Sequence, residues 1–440
     1  MSPDFIVRTS TARVHQGLCP KRIVLPNGVV FIAKQTTTTP AVAVSLAVRA
    51  GSAADPAGAE GTTWLLSRVI DRGTQARSSA QIADELDSRG ITLSIGVTRH
   101  LFTISCTCLT EDFEFVLALL GEIVTSPSLL PEEVETRKGE VVTAIRQDED
   151  NPAVRASEAL MARLYPAGHP YGRRTKGSIA IVERLTRDDL ASLHASRFVP
   201  SALTAVIVGD VVPENAWRAA DHVFGEWSGA PAQPVVLPPV AFRKARERLV
   251  LPMMNKAQAD IAYGFTAIRR NDPDYYACWL MNNAFGQYAL GGRLGDSIRE
   301  RQGMAYYVSS ALDANIAEGP LVIRAGVSPA NVDRAIASID QEINRIVGDG
   351  LTDKELDESR RYLIGAMPRA LETNAAIASF LQSAEFFGLG LDYDLRMPEY
   401  LRAVTLDQAN AAVRRLLDVN RATIVVAGPY RQESSNLVIG

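Results

Sequence analysis

The chain has 440 residues, of which 47% are hydrophobic and 22% charged, so it has the composition of a folded protein and enough length for more than one domain. Its formal net charge of −4 at pH 7 argues against nucleic acid or an anionic membrane as its main partner. No apolar run approaches bilayer-spanning length, and the start of the chain, residues 1–8, lacks the apolar segment of a secretory signal. We therefore expect a cytoplasmic protein with no membrane insertion.

The first half of the chain predicts strands followed by helices. Its predicted strands are residues 22–25, 29–33, 41–48, 92–97 and 102–109, with a last strand at 205–209. Leu65, Leu66, Val69 and Ile70 recur at one-turn spacing and predict a helix within residues 61–74. Strands grouped before helices predict an α+β fold, with a mainly antiparallel sheet covered by helices on one face.

Four cysteines lie in apolar or strand-like settings, and they predict reduced, buried thiols rather than a metal or redox site. They are Cys19, Cys106, Cys108 and Cys278. The spacing of Cys106 and Cys108 on a predicted strand places both thiols on one face.

The second half of the chain repeats the landmarks of the first in the same order. Each later landmark follows its earlier counterpart by about 220 residues. The pairs are Asp55-Pro56 with Asp272-Pro273, the helix starts at Thr110 and Ala330, the helix starts at Pro131 and Thr352, and the strands 205–209 and 423–428. Thr352 and Glu355 have the spacing of a capping box. Four matches in order indicate a duplication.

A stretch with four prolines in twelve residues, 228–239, separates the halves and predicts a stiff linker. We expect two homologous domains that form a clam shell with a cavity between them. The expected organisation is an N-terminal extension (1–20), an N-terminal domain (21–227), a linker (228–245), a C-terminal domain (246–432) and a tail (433–440).

The helix within residues 61–74 has the setting of a metal site without the ligands. Two histidines at positions i and i+4, with a glutamate between them, would hold zinc and position a general base. Those positions hold Trp64, Ser67 and Arg68. A guanidinium group is hostile to a divalent cation, so any catalytic role should not be that of the metal.

Several ordered motifs give the chain a family resemblance. They are Arg22–Gly28, Val48–Ser52, Gly61–Thr74, Asp150–Pro152, His169–Gly172, Val208–Asp210 and Gly291–Tyr306. Over about residues 20–430 this set resembles the pitrilysin-like, insulinase-type zinc peptidases, in particular the short two-domain branch that includes mitochondrial processing peptidase.

The resemblance implies that the zinc site is lost as a whole. Trp64 and Arg68 stand where the family has zinc-binding histidines, and Ser67 stands for the general-base glutamate. Thr143 or Ala144 stands for the third ligand, a glutamate. We expect no metal or other cofactor in this chain.

The same resemblance implies that a second signature is retained. Arg299 and Tyr306 look like the family's Arg and Tyr pair, which faces the zinc from the opposite domain and contacts substrate near the scissile bond. Tyr307 is adjacent, so on a strand only one of the two tyrosines faces the cavity, and the register favours Tyr306. The alternative for Arg299 is an ordinary surface ion pair.

Two further segments have open interpretations. Gly286, Gly291 and Gly292 lie in a glycine-rich stretch near the position of a substrate-contacting loop in the zinc-less processing-peptidase subunit, or they form a flexible helix–helix connection. The acidic run 148–150 is a solvated helix end, or it attracts basic peptides. His169 is expected to fix a turn.

The resemblance implies that the chain is the zinc-less subunit of a heterodimer and is inactive alone. Its expected partners are a homologous, zinc-bearing peptidase subunit and an extended peptide substrate, such as a presequence or a leader peptide. Two alternatives remain: a structural scaffold subunit with no catalytic role, and a peptide-binding homodimer.

Overall fold

Two β-sheets, one in each half of the chain, organise the fold. The computed structural model describes residues 17–287 and 291–431. The strands are β1 (Lys21–Val24), β2 (Val30–Gln35), β3 (Ala41–Val48), β4 (Ser94–Val97), β5 (Phe102–Leu109), β6 (Leu203–Gly209), β7 (Glu247–Pro252), β8 (Ala259–Thr266), β9 (Ala305–Leu312), β10 (Pro320–Val327) and β11 (Thr423–Gly428).

The two sheets have the same topology apart from one edge strand. The first sheet has the order β1-β2-β6-β3-β5-β4, and the second has the order β7-β11-β8-β10-β9. In each sheet the last strand of its half pairs in parallel with the first or second strand, β6 with β2 and β11 with β7, and the other pairs are antiparallel. The predicted α+β class and the internal repeat are confirmed.

Helices connect the strands and cover the sheets. They are α1 (Thr62–Val69), α2 (Ser79–Asp87), α3 (Phe113–Thr125), α4 (Pro131–Glu149), α5 (Pro152–Leu164), α6 (Ile179–Val182), α7 (Arg187–Arg197), α8 (Pro213–Phe224), α9 (Tyr275–Asn282), α10 (Val332–Asp349), α11 (Asp353–Ala370), α12 (Asn374–Phe386), α13 (Tyr393–Ala403) and α14 (Leu406–Leu416). Two π-helical segments, Asn283–Gln287 and Gly295–Arg301, follow α9.

Local sequence explains where several of these helices begin. The predicted capping box at α11 is confirmed: the Thr352 hydroxyl accepts from the Glu355 N–H (3.2 Å), and the Glu355 carboxylate accepts from the Thr352 N–H (2.8 Å). Asn151 caps α5 with its side chain alone, since its side-chain oxygen accepts from the Ala153 N–H at 3.0 Å.

The face of each sheet that its own helices leave open is covered by a helix from the other half. Helix α5 of the first half packs on the second sheet, where Leu160 contacts the cluster that contains Val322 and Val425. Helix α12 of the second half packs on the first sheet, where Leu381 lies with Val206. This exchange is the main apolar contact between the halves.

Polar contacts between the halves surround these two helices. The Ser45 hydroxyl donates to the Gln382 side-chain oxygen (3.2 Å), and the Leu18 N–H donates to the Asp394 carboxylate (2.7 Å). The Lys256 ammonium group lies 2.6 Å from the Asp150 carboxylate. The halves are thus held by directional bonds as well as by apolar packing.

His100 lies at the same boundary in a largely buried position. Its Nε2 lies 2.5 Å from the Tyr171 hydroxyl, and its ring packs 5.9 Å from that of Phe386 in the second half. Burial, assisted by the charge of Arg99, lowers the pKa of His100 from 6.5 to about 4, so the imidazole is neutral near neutral pH.

The linker and the cysteines refine the expectations from sequence. Residues 227–243 have no regular secondary structure, and Val240 packs into the cluster around α5. Cys106 and Cys108 are buried on one face of β5 and Cys278 is buried in the second half, as predicted, but the prediction is wrong for Cys19, which is exposed beside the buried Leu18. Within residues 17–287 and 291–431, no helix combines the length and apolarity needed to cross a bilayer.

Replacing the apolar contact of α12 tests the helix exchange. We expect Leu381→Ala to lower the free energy of unfolding by about 2–5 kcal/mol, because Leu381 is fully buried between the halves. Leu109→Ala, at a half-exposed position, is the matched control and should cost far less. Denaturant unfolding measures both, and equal losses would contradict the proposed contact.

The burial of His100 predicts an acid-sensitive boundary between the halves. Because the pKa is lower in the folded chain than in the unfolded chain, this contribution is complete above about pH 6.5 and is lost as the pH falls towards 4. Between pH 7.5 and 4.5 the wild type should lose about 2 kcal/mol more unfolding free energy than His100→Asn. Parallel loss in both proteins would show that His100 does not titrate in this way.

Candidate functional site

The N-terminus of α1 is fixed by one buried carboxylate. Asp55 accepts hydrogen bonds from the N–H groups of Gly61 (2.8 Å) and Thr63 (2.9 Å) and from the Thr63 hydroxyl (2.5 Å). Burial raises the pKa of Asp55 to about 6, although these hydrogen bonds oppose the rise. Gly61 has φ of 99°, which a residue with a side chain rarely adopts. The chain therefore enters α1 in one defined direction.

The side chains at the three motif positions on α1 lie in different surroundings. Trp64 is half-buried, and the Lys176 ammonium group lies 5.4 Å from the centre of its ring. The buried Ser67 hydroxyl donates to the Trp64 carbonyl at 2.6 Å, so it is used within the helix. Arg68 is exposed. None of these groups is a zinc ligand or a general base.

Helix α4, which packs against α1, supplies no replacement ligand. The exposed Thr143 hydroxyl donates to the Gly139 carbonyl at 2.9 Å, and Ala144 has no ligand atom. Glu140, the nearest carboxylate in sequence, forms an ion pair with Arg137. Across residues 17–287 and 291–431, no group of three or more His, Cys, Asp or Glu side chains is arranged to hold a metal ion. The residues at the family's zinc position do not fit zinc.

The charged side chains near the end of α1 also disfavour a metal ion. Burial raises the pKa of Asp71, while the guanidinium groups of Arg72, Arg137 and Arg68 favour its ionised form. Arg72 lies 3.3 Å from this carboxylate. Three guanidinium groups thus lie near one carboxylate, and their excess positive charge repels a divalent metal ion.

Arg299 and Tyr306 are placed on either side of one helix–strand junction. Arg299 lies within the π-helical segment Gly295–Arg301, and its side chain is 43% exposed. Its nearest charged partner is Glu300, at 3.7 Å. Tyr306 is 67% exposed at the start of β9, and within the described parts of the chain its hydroxyl has no hydrogen-bond partner. Both side chains are therefore accessible to another molecule.

A β-bulge decides how the two adjacent tyrosines are oriented. Ala305 pairs with Val327 and Tyr307 pairs with Gly326, so Tyr306 is an extra residue with no partner across the ladder. The Tyr307 hydroxyl donates to the Asp260 carboxylate at 2.5 Å. The register of the family resemblance favoured Tyr306 over Tyr307 for the cavity, and that assignment stays a prediction. Tyr307 is used inside the sheet, and Tyr306 extends into solvent.

The glycine-rich stretch is partly described. Gly286 is buried, and a Cβ there would meet Leu294 at 2.6 Å and Ser310 at 2.8 Å, so close packing requires a glycine. Residues 288–290 lie outside the described residues, Gly291 is exposed and Gly292 is buried. The substrate-loop interpretation of these glycines stays a prediction.

His169 and the acidic run have structural partners. His169 Nδ1 accepts from the Tyr171 N–H (3.0 Å), which confirms that His169 fixes a turn. Asp148 pairs with Lys176 at 2.6 Å, Glu149 pairs with Arg174 at 3.0 Å, and Asp150 pairs with a lysine of the second half. The run is neutralised by the chain's own cations, and this argues against attraction of basic peptides.

At least three cavities lie between the halves in the described parts of the chain, and two of them border the exchanged helices α12 and α5. The larger, about 770 Å³, lies between the first sheet and α12 and is lined by uncharged side chains, among them Ser45, His100 and Phe386. The smaller, about 390 Å³, lies between the α1 side of the first half and the second sheet, and we call it the cationic cavity. Its charged lining residues are Arg99, Asp148, Glu158, Arg173, Arg174, Lys176, Asp313 and Arg324.

The cationic cavity is the feature that sequence reasoning missed. Arg173, Arg174 and Lys176 form a short basic run that was visible in the sequence. Arg99 and Arg324 come from distant segments, and only the fold brings them to the same place.

Comparison with known proteins gives the same family for both halves. Residues 30–176 match the sequence model described as Insulinase (Peptidase family M16), and residues 184–363 match the one described as Peptidase M16 inactive domain. A protein of Mycobacterium tuberculosis described as an uncharacterised zinc protease is 26% identical over 435 residues, which is 97% of each chain. A non-peptidase homologue of Helicobacter pylori is 21% identical over 395 residues, which is 89% of each chain.

Solved structures share the whole architecture. The crystal structure of a peptidase M16 inactive domain from Pseudomonas fluorescens superimposes with a TM-score of 0.87 and 25% identity, covering 94% of this chain and 99% of the other. A protease from Helicobacter pylori has the same fold, with a TM-score of 0.85 and 15% identity over 93% of this chain and 99% of the other. With both halves matched, and with Trp64, Ser67 and Arg68 at the motif positions, the chain belongs to the M16 peptidase family as an inactive-type homologue.

Proposed function

We propose that this chain is the non-zinc subunit of a heterodimeric metallopeptidase that cleaves peptides, such as precursor or leader peptides. In this role it contributes Arg299 and Tyr306 to a composite active site and helps to enclose the substrate. The observation that carries the proposal is that both side chains are exposed and lack strong partners in their own chain.

The chemistry of these two groups suits a site whose metal is supplied by another chain. When zinc-activated water attacks a peptide carbonyl, negative charge develops on the carbonyl oxygen. The Arg299 guanidinium is always charged and the Tyr306 hydroxyl is a hydrogen-bond donor, so both can stabilise that oxygen.

The relatives support a partner that has the same two-half architecture. Relatives described as zinc proteases match this chain along 97% of their length, so a zinc-bearing subunit can have the same two-half architecture. The Helicobacter pylori relative described as a non-peptidase homologue supports an inactive role for some members.

The first prediction concerns the metal. The purified chain should retain no stoichiometric zinc after dialysis and should not cleave unfolded peptides alone, because Trp64 and Arg68 offer no ligand atoms. Mass spectrometry of metal content measures this directly. A variant with Trp64→His, Ser67→Glu, Arg68→His and Ala144→Glu serves as a positive control. Equimolar zinc in the wild-type chain would contradict the proposal.

The second prediction concerns the retained pair. In the complex with a zinc-bearing subunit, Arg299→Ala and Tyr306→Phe should each lower kcat by about 100-fold, the usual effect of removing one transition-state donor. KM should change little, because the lost interaction forms mainly in the transition state.

The matched control is Arg301→Ala, since Arg301 is a neighbouring exposed arginine that pairs with Asp296 at 2.9 Å. It should leave kcat unchanged. Unchanged turnover in both Arg299→Ala and Tyr306→Phe would favour the scaffold alternative. A native mass of two copies of this chain, unaffected by the zinc-bearing subunit, would favour the peptide-binding homodimer.

A further inference from the structure

The cationic cavity has one wall from each half of the chain. Trp64 and Met161 contribute from the first half, and Val322 and Arg324 contribute from the second sheet. Its volume of about 390 Å³ can accept a few residues of a peptide but not a folded domain.

Part of its charge is already balanced. The Lys176 ammonium pairs with Asp148 at 2.6 Å, and the Arg174 guanidinium pairs with Glu158 at 3.0 Å. These pairs fix the basic run against α4 and α5, and their charges are not available to a ligand.

Two guanidinium groups in the lining have no carboxylate within ion-pair distance in the described parts of the chain. Arg99 is largely buried, and its hydrogen-bond acceptor is the Pro170 carbonyl at 3.4 Å. Arg324 is exposed to the cavity from the middle of β10. Asp313, which favours the ionised form of Arg99, is the acidic lining group outside an ion pair. Positive charge therefore exceeds negative charge.

Because Arg99 is largely buried, the excess positive charge in the cavity is unfavourable in free energy. A charged group that leaves water without a paired anion loses solvation, and burial accordingly lowers the pKa of Arg99. A carboxylate that enters the cavity would supply the missing partner through charge-assisted hydrogen bonds.

The surroundings favour a peptide rather than a small inorganic anion. Val97 lies at the end of β4 and Ala311 lies near the end of β9, and both line the cavity. These strands are the edges of their sheets, so each has a row of unpaired main-chain groups that can bind an extended chain. Trp64 and Met161 add an apolar surface for a neighbouring side chain.

We propose that the cationic cavity binds a carboxylate of an extended peptide, either its C-terminal carboxylate or an acidic side chain. Arg99 and Arg324 contact the carboxylate, and Trp64 and Met161 contact the adjacent apolar residue. This inference does not depend on pairing with a zinc-bearing subunit, because every group that it uses belongs to this chain.

Calorimetric titration of the isolated, full-length chain tests the proposal with three unlabelled peptides of otherwise identical sequence. The first has a free C-terminus and no acidic residue, the second is amidated and contains one Glu, and the third is amidated with Gln in place of that Glu. Binding of the first identifies the C-terminal carboxylate as the ligand, and binding of the second identifies the side chain. Equal binding of the third, or no binding of any, would overturn the proposal.

The variant Arg324→Gln connects binding to the cavity. It should weaken binding of the carboxylate peptide by about tenfold or more, as expected for loss of a charged hydrogen bond. It should not affect any residual binding of the amidated Gln peptide. Arg345→Gln, on the exposed side of α10, is the matched control and should bind like the wild type. Equal affinity of Arg324→Gln and Arg345→Gln would place the peptide elsewhere.

Discussion

The exchange of one helix between the two halves is the contact on which the rest of the structure depends. Each sheet has two apolar faces, and its own helices cover only one of them. Helix α5 covers the second face of one sheet, and α12 covers the second face of the other. Because neither half can bury both faces alone, the halves must close on each other. That closure forms the cavities between the halves and fixes the positions of their walls.

In this fold, the residues at all three zinc-motif positions on α1 have changed, so the groups needed for metal chemistry are lost together. Ser67 is bonded within its helix, Arg68 extends into solvent, and Trp64 packs beneath Lys176. These residues are not a zinc site with one ligand missing, since none of the three side chains is a zinc ligand or a general base. Arg299 and Tyr306, in contrast, are exposed groups that can stabilise negative charge on a substrate oxygen. This contrast is why we propose that the chain acts on substrate through another subunit's metal.

Much of the fold follows from local sequence. The strands of the first half were predicted to within a few residues, and the capping box at Thr352 predicted the start of α11. The α+β class and the duplication followed from the order of such signals. Helix exchange could not be predicted, because an amphipathic pattern in α5 does not say which sheet its apolar face will meet.

The candidate site was predicted less completely, for physical reasons. The bulge at Tyr306 depends on how β9 pairs with β10, which the sequence of β9 alone does not reveal. Cys19 is exposed beside the buried Leu18, and the apolar character of this segment does not show which of its side chains faces solvent. The charge excess of the cationic cavity depends on which cations find a carboxylate, and only tertiary structure decides that for Arg99 and Arg324.

The most direct test of the proposed division of labour is native mass spectrometry with metal analysis of this chain mixed with a homologous, zinc-bearing subunit. Our account predicts an equimolar complex in which zinc resides in the homologue alone, with peptide cleavage that requires both chains. A homologue that cleaves at the same rate without this chain, and does not associate with it, would contradict the account.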